Sequence, residues 1–286
     1  MSSFPHPGDV ALLGLDVDPE GGTARFTVGP GLVRHDGLLY GGTGLAVTVA
    51  AMEAVTQRDV LWATTQFVSQ PGLGTEIEVV AERLAIGKKA AQVQVRATTG
   101  DEVVFVGVGS TGVPIEGGLT GQWVDMPRVA PPDDAAAWMG GMPQLREAGV
   151  APEHWGSRVD MRQAEVLDDD GPDVALWTRL HDPIPITPTV IAFVSDMVPV
   201  AVARAAGKLG AGSSLDNSLR FHGGAVEDGW LLLELRGELA RGGFGHGTVR
   251  VWTEDGRLLA TGSQSASMRY LFDEGQIPTL PLPRPT

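Results

Sequence analysis

The sequence predicts an α+β protein built from two similar halves, each with one long apolar helix and a run of antiparallel strands. The first observation is an internal repeat. Segments that begin at Gly87 and Gly243 both alternate apolar and polar residues and then reach a turn, at Gly100 and Gly256. Such alternation is typical of half-buried strands, and a turn between two of them is typical of a hairpin. The second observation is that the elements before these hairpins follow the same order in both halves.

Two further strand-like segments precede each hairpin. The segments "TEIEVVAERLA", from Thr75, and "WLLLELRGELA", from Trp230, are rich in apolar and β-branched residues. Before them lie "ATTQFVSQPG" and "LDNSLRFHGG", which are offset by 152 positions. Short strands that follow one another across turns favour an antiparallel sheet in each half.

A long apolar helix is predicted at the start of each half. One begins at Gly41, and the other begins near Thr189, with Gly207 placed to end it and Pro199 expected to kink or restart it. A helix that is apolar nearly all round is expected to be buried. An antiparallel sheet curved around one central helix is the hotdog arrangement. Two tandem copies make a double hotdog, which we expect to have pseudo-two-fold symmetry and a joined sheet; chance similarity of two unrelated α+β domains is the alternative.

The chain divides at a segment rich in glycine, proline and aspartate. We predict an N-terminal hotdog over residues 1–116, an irregular connector over 117–155 that packs partly on the surface, and a C-terminal hotdog over 156–272. Residues 273–286 are predicted to form a proline-rich tail without helix or strand.

Composition excludes several classes of function. The net charge is -14, which argues against a general nucleic-acid binder and against a basic membrane-surface helix. The chain has no cysteine, so thiol nucleophiles, disulfides and zinc fingers are excluded. The histidines are scattered without metal-binding spacing, and no G-x-S-x-G motif occurs, so we expect neither a metal nor a serine hydrolase. Without a visible signal peptide or an apolar run of about 18 residues, we expect a cytoplasmic protein that does not span a membrane.

Several motifs carry a family resemblance. The C-terminal half contains "SLDNSLRFH" and "TGSQSASMR", the N-terminal half contains "GLLYGGTGLAV" and "FVSQPG", and "VSD" surrounds Asp196. Over roughly residues 25–115 and 155–272, the chain resembles the acyl-CoA thioesterase II family. The resemblance implies a double hotdog that hydrolyses acyl-CoA thioesters without a cofactor. It also implies a homo-oligomer, as a dimer or tetramer of chains.

The resemblance also implies a catalytic set of an aspartate, a hydroxyl residue and a glutamine that together hold a water. The aspartate falls on Asp216 and the glutamine on Gln264. Counted without gaps from Trp230, the hydroxyl position falls on Glu238, which departs from the family pattern. A carboxylate there would accept a hydrogen bond from water but repel Asp216. Asp196 is expected to contact the side chains of this set without contacting the substrate, or equally to be a surface residue of its helix.

The residues themselves fit this chemistry. A carboxylate that accepts a proton from water accelerates its attack on a thioester by about 10²–10⁴-fold. Backbone N–H groups at a helix N-terminus stabilise the oxyanion, and Gly41, Gly42 and the start of the second helix near Thr189 are the candidates. By the two repeat offsets, Asp216 and Gln264 correspond to Thr64 and Val108. We therefore expect one working site per chain.

Other interpretations of the same residues stay open. The aspartate and asparagine of "SLDNSLRFH" also suit a turn or strand entry, and Gln264 also suits a solvent-facing strand position. The chain is then a thioesterase, a non-catalytic acyl-CoA-binding module for which Glu238 is the best support, or an enoyl-CoA hydratase with an Asp216–His222 pair. The length and branching of the acyl chain are not predicted. Small residues on the first helix suit either an acyl tunnel or close packing on the sheet.

Overall fold

The computed structural model describes residues 4–138 and 153–272. The predicted proline-rich tail and residues 139–152 of the predicted connector lie outside the described residues. The N-terminal half contributes six strands: β1 (Asp16–Asp18), β2 (Thr23–Thr27), β3 (Asp59–Phe67), β4 (Glu76–Ile86), β5 (Ala90–Thr99) and β6 (Glu102–Gly112). The connector contributes β7 (Ala136–Ala137), and the C-terminal half contributes β8 (Val159–Gln163), β9 (Val174–Leu180), β10 (Leu209–Phe221), β11 (Leu231–Arg241), β12 (Phe244–Thr253) and β13 (Leu258–Phe272).

The strands of the described residues form one antiparallel sheet in the order β1-β2-β4-β5-β6-β3-β10-β13-β12-β11-β9-β8-β7. The first six strands and the six from β10 to β8 follow the same order outward from the centre. The repeat predicted from the sequence is therefore confirmed, and the two sheets are joined where β3 pairs with β10. Joining them removes two open edges that would otherwise pair with other chains.

The pairing of β3 with β10 locates the pseudo-two-fold axis. Thr65 lies opposite Asn217, and these residues differ in number by 152, the offset that relates the two segments in sequence. Equivalent residues can face each other only where the symmetry axis passes between them. The two hairpins also correspond, because Gly100 and Gly256 both adopt positive φ in the turns that follow β5 and β12.

Two helical segments fill the inside of the curved sheet. α2 (Gly41–Thr56) is continuous and almost entirely buried. Its counterpart is divided into α3 (Pro188–Val194) and α4 (Val198–Ala205), with Gly207 in a left-handed conformation after its end. Pro199 lies in the first turn of α4, where its missing N–H costs nothing, so the helix restarts there as expected.

The sequence does not predict α1 (Pro7–Leu13), a short helix before β1. His6 caps its N-terminus, Gly14 ends it with positive φ, and its leucines Leu12 and Leu13 enter the core.

Glycines in the strands allow the helices to lie close to the sheet. A Cβ on Gly107 would lie 2.5 Å from Thr48 of α2, and a Cβ on Gly245 would lie 2.5 Å from Val202 of α4. Gly44 of α2 likewise lies against the ring of Phe67. Contacts this short leave no room for a side chain, so Gly44 serves close packing of α2 on the sheet.

The connector runs over the outer face of the C-terminal half and includes the short edge strand β7. Met126, Val129 and Ala135 pack on a second cluster of buried side chains around Trp177 and Trp252. The connector is therefore partly packed on the surface, as the sequence indicates, but β7 pairs with β8 instead of being irregular.

The window from Pro188 to Ala205 has the length and mean hydropathy, 1.4, of a membrane-spanning helix, and 83% of it is buried inside the protein. This is the window occupied by α3 and α4, which pack against the sheet and α2. Its hydropathy reflects a place in the core.

Candidate functional site

Asp196 lies at the break between α3 and α4. α3 ends at Val194, and α4 begins at Val198, so the aspartate belongs to neither helix. The break turns its side chain toward the N-terminus of α2 and toward β10 and β13. Asp196 is 8% exposed and is therefore one of the few buried carboxylates among the described residues.

Three side chains donate hydrogen bonds to the same oxygen of this carboxylate. Ser214 Oγ donates to Asp196 Oδ1 over 3.1 Å, and Asn217 Nδ2 donates over 3.2 Å. Gln264 Nε2 also contacts Oδ1 and donates to Ser214 Oγ over 2.7 Å. The three donors come from β10 and β13, which are neighbours in the sheet. Their convergence saturates Oδ1 and leaves Oδ2 without a side-chain donor among the described residues.

The second oxygen, Oδ2, lies against the first turn of α2. A Cβ on Gly41 would lie 2.4 Å from Asp196 Oδ2 and 3.2 Å from Ser214 Oγ, so only glycine fits there. The backbone N–H of Gly42 forms a hydrogen bond with the carboxylate. The positive end of a helix favours a negative charge at this point. The structure therefore brings the predicted oxyanion residues Gly41 and Gly42 to Asp196.

Burial raises the pKa of Asp196 to about 6, while hydrogen bonds from Ser214, Asn217 and the backbone of Gly42 and the positive charge of Arg34 act to lower it. A carboxyl with this pKa is ionised at neutral pH and still accepts a proton readily. Such a value is suited to a general base.

Arg34 and Tyr40 border the site. Arg34 Nη1 donates to the hydroxyl of Ser213 over 3.2 Å, and Asp36 holds the guanidinium at 2.6 Å. The ring of Tyr40, the residue before α2, stacks on Trp155 with ring centroids 4.3 Å apart. Burial and then the charge of Asp196 raise the pKa of Tyr40 well above its usual value. The charge of Asp196 therefore acts on Tyr40, and the charge of Arg34 acts on Asp196.

The structure places Asp216 away from this cluster. Asp216 Oδ1 accepts a hydrogen bond from the backbone N–H of Ser265 over 2.9 Å, next to a bulge in β10. Adjacent residues of a strand project to opposite faces, and the next residue, Asn217, points inward to Asp196. Asp216 therefore points to the outer face, and its carboxylate satisfies a donor of β13.

Glu238 also lies away from the cluster. It is exposed on β11 beside a bulge, and it accepts a hydrogen bond from Thr248 Oγ1 over 3.1 Å. The hydroxyl that contacts Asp196 and Gln264 belongs to Ser214 on β10. The structure therefore does not bring Glu238 to Asp216 or to the cluster at Asp196.

Thr189 lies in the first turn of α3, seven residues before Asp196, so about 10 Å separates them along the helix. Thr189 and Thr187 lie beside the buried carboxyl of Asp9, and Thr187 Oγ1 donates to Asp9 Oδ1 over 2.6 Å. Burial raises the pKa of Asp9 to about 6. The start of α3 is thus occupied by a residue of α1 and is not part of the cluster at Asp196.

The hydratase hypothesis requires Asp216 and His222 to form a pair. They are six residues apart on and just after β10, which corresponds to about 20 Å along an extended strand. His222 Nε2 instead lies 3.2 Å from Thr261 Oγ1. The structure therefore does not bring the two together.

The equivalent position of the N-terminal half lacks the acid and both amides. Thr65 Oγ1 donates to Thr48 Oγ1 over 3.0 Å, in the place of the contact between Asn217 and Asp196. Gly107 lies opposite Thr65 as Gln264 lies opposite Asn217, so Gly107, not Val108, is the counterpart of Gln264. Among the described residues, the polar cluster is present in the C-terminal half and its counterpart is absent from the N-terminal half.

Of the residues singled out in the sequence, Gln264, Gly41 and Gly42 lie at the cluster around Asp196, while Ser214 and Asn217 of the cluster were not among them. A signal for Asn217 was present, because it is two residues before the apolar Leu219 and therefore shares the inward face of β10. The bulge between Ser214 and Asp216 shifts this alternation, and the sequence shows no sign of it.

Comparison with known proteins gives the family of the chain. Residues 33–112 match the N-terminal domain of acyl-CoA thioesterases, and residues 126–268 match their C-terminal domain. The chain belongs to the acyl-CoA thioesterase family. It is therefore a thioester hydrolase with a double hotdog fold, as the sequence motifs indicate.

Solved structures support the assignment. A structure described as a thioesterase from Novosphingobium aromaticivorans shares 30% identity, covers 89% of this chain and 98% of its own, and has a TM-score of 0.78. An acyl-CoA thioesterase II from Mycobacterium marinum has 22% identity, covers 92% and 98%, and has a TM-score of 0.70. The second supports the fold alone. Among curated proteins, none matches the chain.

Proposed function

We propose that this thioesterase hydrolyses acyl-CoA to a free fatty acid and CoA through a water activated by Asp196. The observation that carries the proposal is the buried carboxylate, whose Oδ1 accepts hydrogen bonds from a serine, an asparagine and a glutamine. An aspartate, a hydroxyl residue and a glutamine are the set that the family resemblance implies. In this chain we assign that set to Asp196, Ser214 and Gln264.

The chemistry follows from the two oxygens of Asp196. Because Oδ1 is saturated by its donors, Oδ2 accepts the proton of the attacking water as the water oxygen bonds to the thioester carbon. Gln264 holds the carboxylate with its Nε2, and its buried Oε1, which lacks a partner among the described residues, suits a hydrogen bond from that water. The tetrahedral intermediate then breaks its C–S bond, and the leaving sulfur takes the proton from Asp196.

The negative oxygen of the intermediate requires donors near Oδ2. The N–H of Gly41 lies in the first turn of α2, where backbone donors have no partner within the helix. Glycine at this position also allows a thioester to approach the backbone closely. The N–H of Gly41 is therefore the oxyanion donor in this mechanism, because the N–H of Gly42 already bonds to Asp196 and those of the next two residues bond to the carbonyl of Tyr40.

The test compares the same chemical change at two aspartates of one region. Asp196→Asn should lower kcat by about 10²–10⁴-fold with acyl-CoA affinity retained, because the proton acceptor is lost while shape is kept. Asp216→Asn is the matched control and should keep wild-type activity. Release of CoA is measured with a thiol reagent over acyl-CoAs from acetyl to palmitoyl, and affinity by calorimetry.

Two outcomes would contradict the proposal. Loss of activity in Asp216→Asn together with an active Asp196→Asn variant would return the role of base to Asp216. A wild-type protein that binds acyl-CoA but releases no CoA across the panel would favour a binding module.

A further inference from the structure

Asn217 occupies a special position in the fold. It lies on β10 where the pseudo-two-fold axis crosses the sheet, directly opposite its own counterpart Thr65. It also pairs across the sheet with Gln264. A side chain at this point reaches the junction between the two halves, where Asp196 meets the N-terminus of α2.

The amide of Asn217 is only half satisfied. The residue is fully buried, and its Nδ2 donates to Asp196 Oδ1 over 3.2 Å. Its Oδ1 is buried without a hydrogen-bond partner among the residues that the structure describes. A buried acceptor without a donor is unfavourable, so a polar group that enters the site is expected to satisfy it.

The N-terminal half shows what this position looks like without a site. The hydroxyl of Thr65 donates to Thr48, the hydroxyl of Thr48 donates to the carbonyl of Gly44, and the methyl group of Thr48 fills the space beside Gly107. No such closure occurs in the C-terminal half. There, Asn217 and Gln264 both turn their nitrogen to Asp196 and leave a buried carbonyl oxygen without a partner.

We propose that Asn217 is a further catalytic residue, whose Nδ2 holds Asp196 while its Oδ1 accepts a hydrogen bond from the attacking water. This inference rests on the proposed function. A water has two hydrogens to donate, one to the carboxylate and the other to a neutral acceptor. One O–H points to Asp196 Oδ2, and the other points between the amide oxygens of Asn217 and Gln264, so the orientation of the water is fixed and its lone pair is aimed at the thioester. An amide suits this role because it does not compete with the carboxylate for the proton.

The test uses two variants of Asn217. Asn217→Leu is similar in size and removes both hydrogen bonds, so kcat should fall by about 10-fold or more at unchanged KM. Asn217→Asp keeps the shape and places a second carboxyl against Asp196, so the acidic limb of the pH–rate profile should move up by about one unit or more. The other titratable groups that interact electrostatically with Asp196 are Arg34 and Tyr40, and both are unchanged in the two variants.

Ser218→Ala is the matched control, because this neighbouring residue bonds to Thr64 over 2.7 Å and not to Asp196. Both readouts should stay at wild-type values in it. If Asn217→Leu does not fold, the profile of the nearly isosteric Asn217→Asp decides the question. If the folded Asn217 variants keep the wild-type kcat and pH profile, and Asp196→Asn is inactive, this inference is overturned and the proposed function stands. An active Asp196→Asn enzyme would instead overturn the proposed function itself.

Discussion

Gly41 is the position where one added carbon tests the geometry of the site. It is the first residue of α2, so alanine suits its backbone conformation and no strain arises from the main chain. The added Cβ would lie 2.4 Å from Asp196 Oδ2 and 3.1 Å from its Cγ. Ordinary carbon contacts are about 3.5 Å or longer, so the carboxylate or the helix end must move by about 1 Å.

A displacement of this size has a known consequence for catalysis. Misplacing reacting groups by about 1 Å costs about 10²-fold in rate, so Gly41→Ala should lower kcat by about that factor. The variant should remain folded, because the nearest atoms to the added Cβ belong to two side chains, Asp196 and Ser214, at the border of the core. Activity is measured by CoA release, and folding by circular dichroism and thermal unfolding.

Gly29→Ala is the matched control, since a Cβ there would meet nothing closer than 3.9 Å and the residue also precedes a short helical turn. It should retain wild-type kcat and stability. A folded Gly41→Ala enzyme with wild-type kcat would refute the reasoning, because it would show that the reaction does not take place between Asp196 and the start of α2.

Four further outcomes are expected. Asp196 must be ionised to accept a proton, and burial raises its pKa to about 6, so kcat/KM should fall as the pH decreases through about 6. A flat profile of kcat/KM from pH 5 to 8 would contradict the role of Asp196 as the base. Burial raises the pKa of Glu53 from 4.5 to about 8, so the folded state binds more protons than the unfolded state, and stability should fall as pH rises through this window. Glu53→Gln should weaken this loss, seen as a smaller drop in melting temperature between pH 6 and pH 9; an identical drop would contradict the assignment. Residues 1–120 expressed alone should dimerise or precipitate, because β3 loses its partner β10, whereas a soluble folded monomer would argue against the joined sheet. Light scattering of the whole chain should show a dimer or a larger oligomer. Detection of the 30.0 kDa monomer alone would contradict this expectation.

The sequence by itself determined the architecture of this protein. The period-two pattern of the strands, the apolar helices and the repeated order of elements are local properties, and they led to the double hotdog. The break of the second helix was also local, because Pro199 cannot continue a helix. The glycines at the start of α2 were recognisable for the same reason, since they stand at a helix N-terminus.

Only the tertiary structure shows which aspartate contacts Gln264. Asp196 and Gln264 are 68 residues apart, and no local pattern shows that a helix break faces β10 and β13. A one-residue bulge turns Asp216 outward and brings Ser214 and Asn217 to the inner face. A strand bulge reverses the faces of the residues around it, and composition does not reveal where one occurs. The family pattern was therefore visible in the motifs, while its assignment to individual side chains depended on the packing of the two halves.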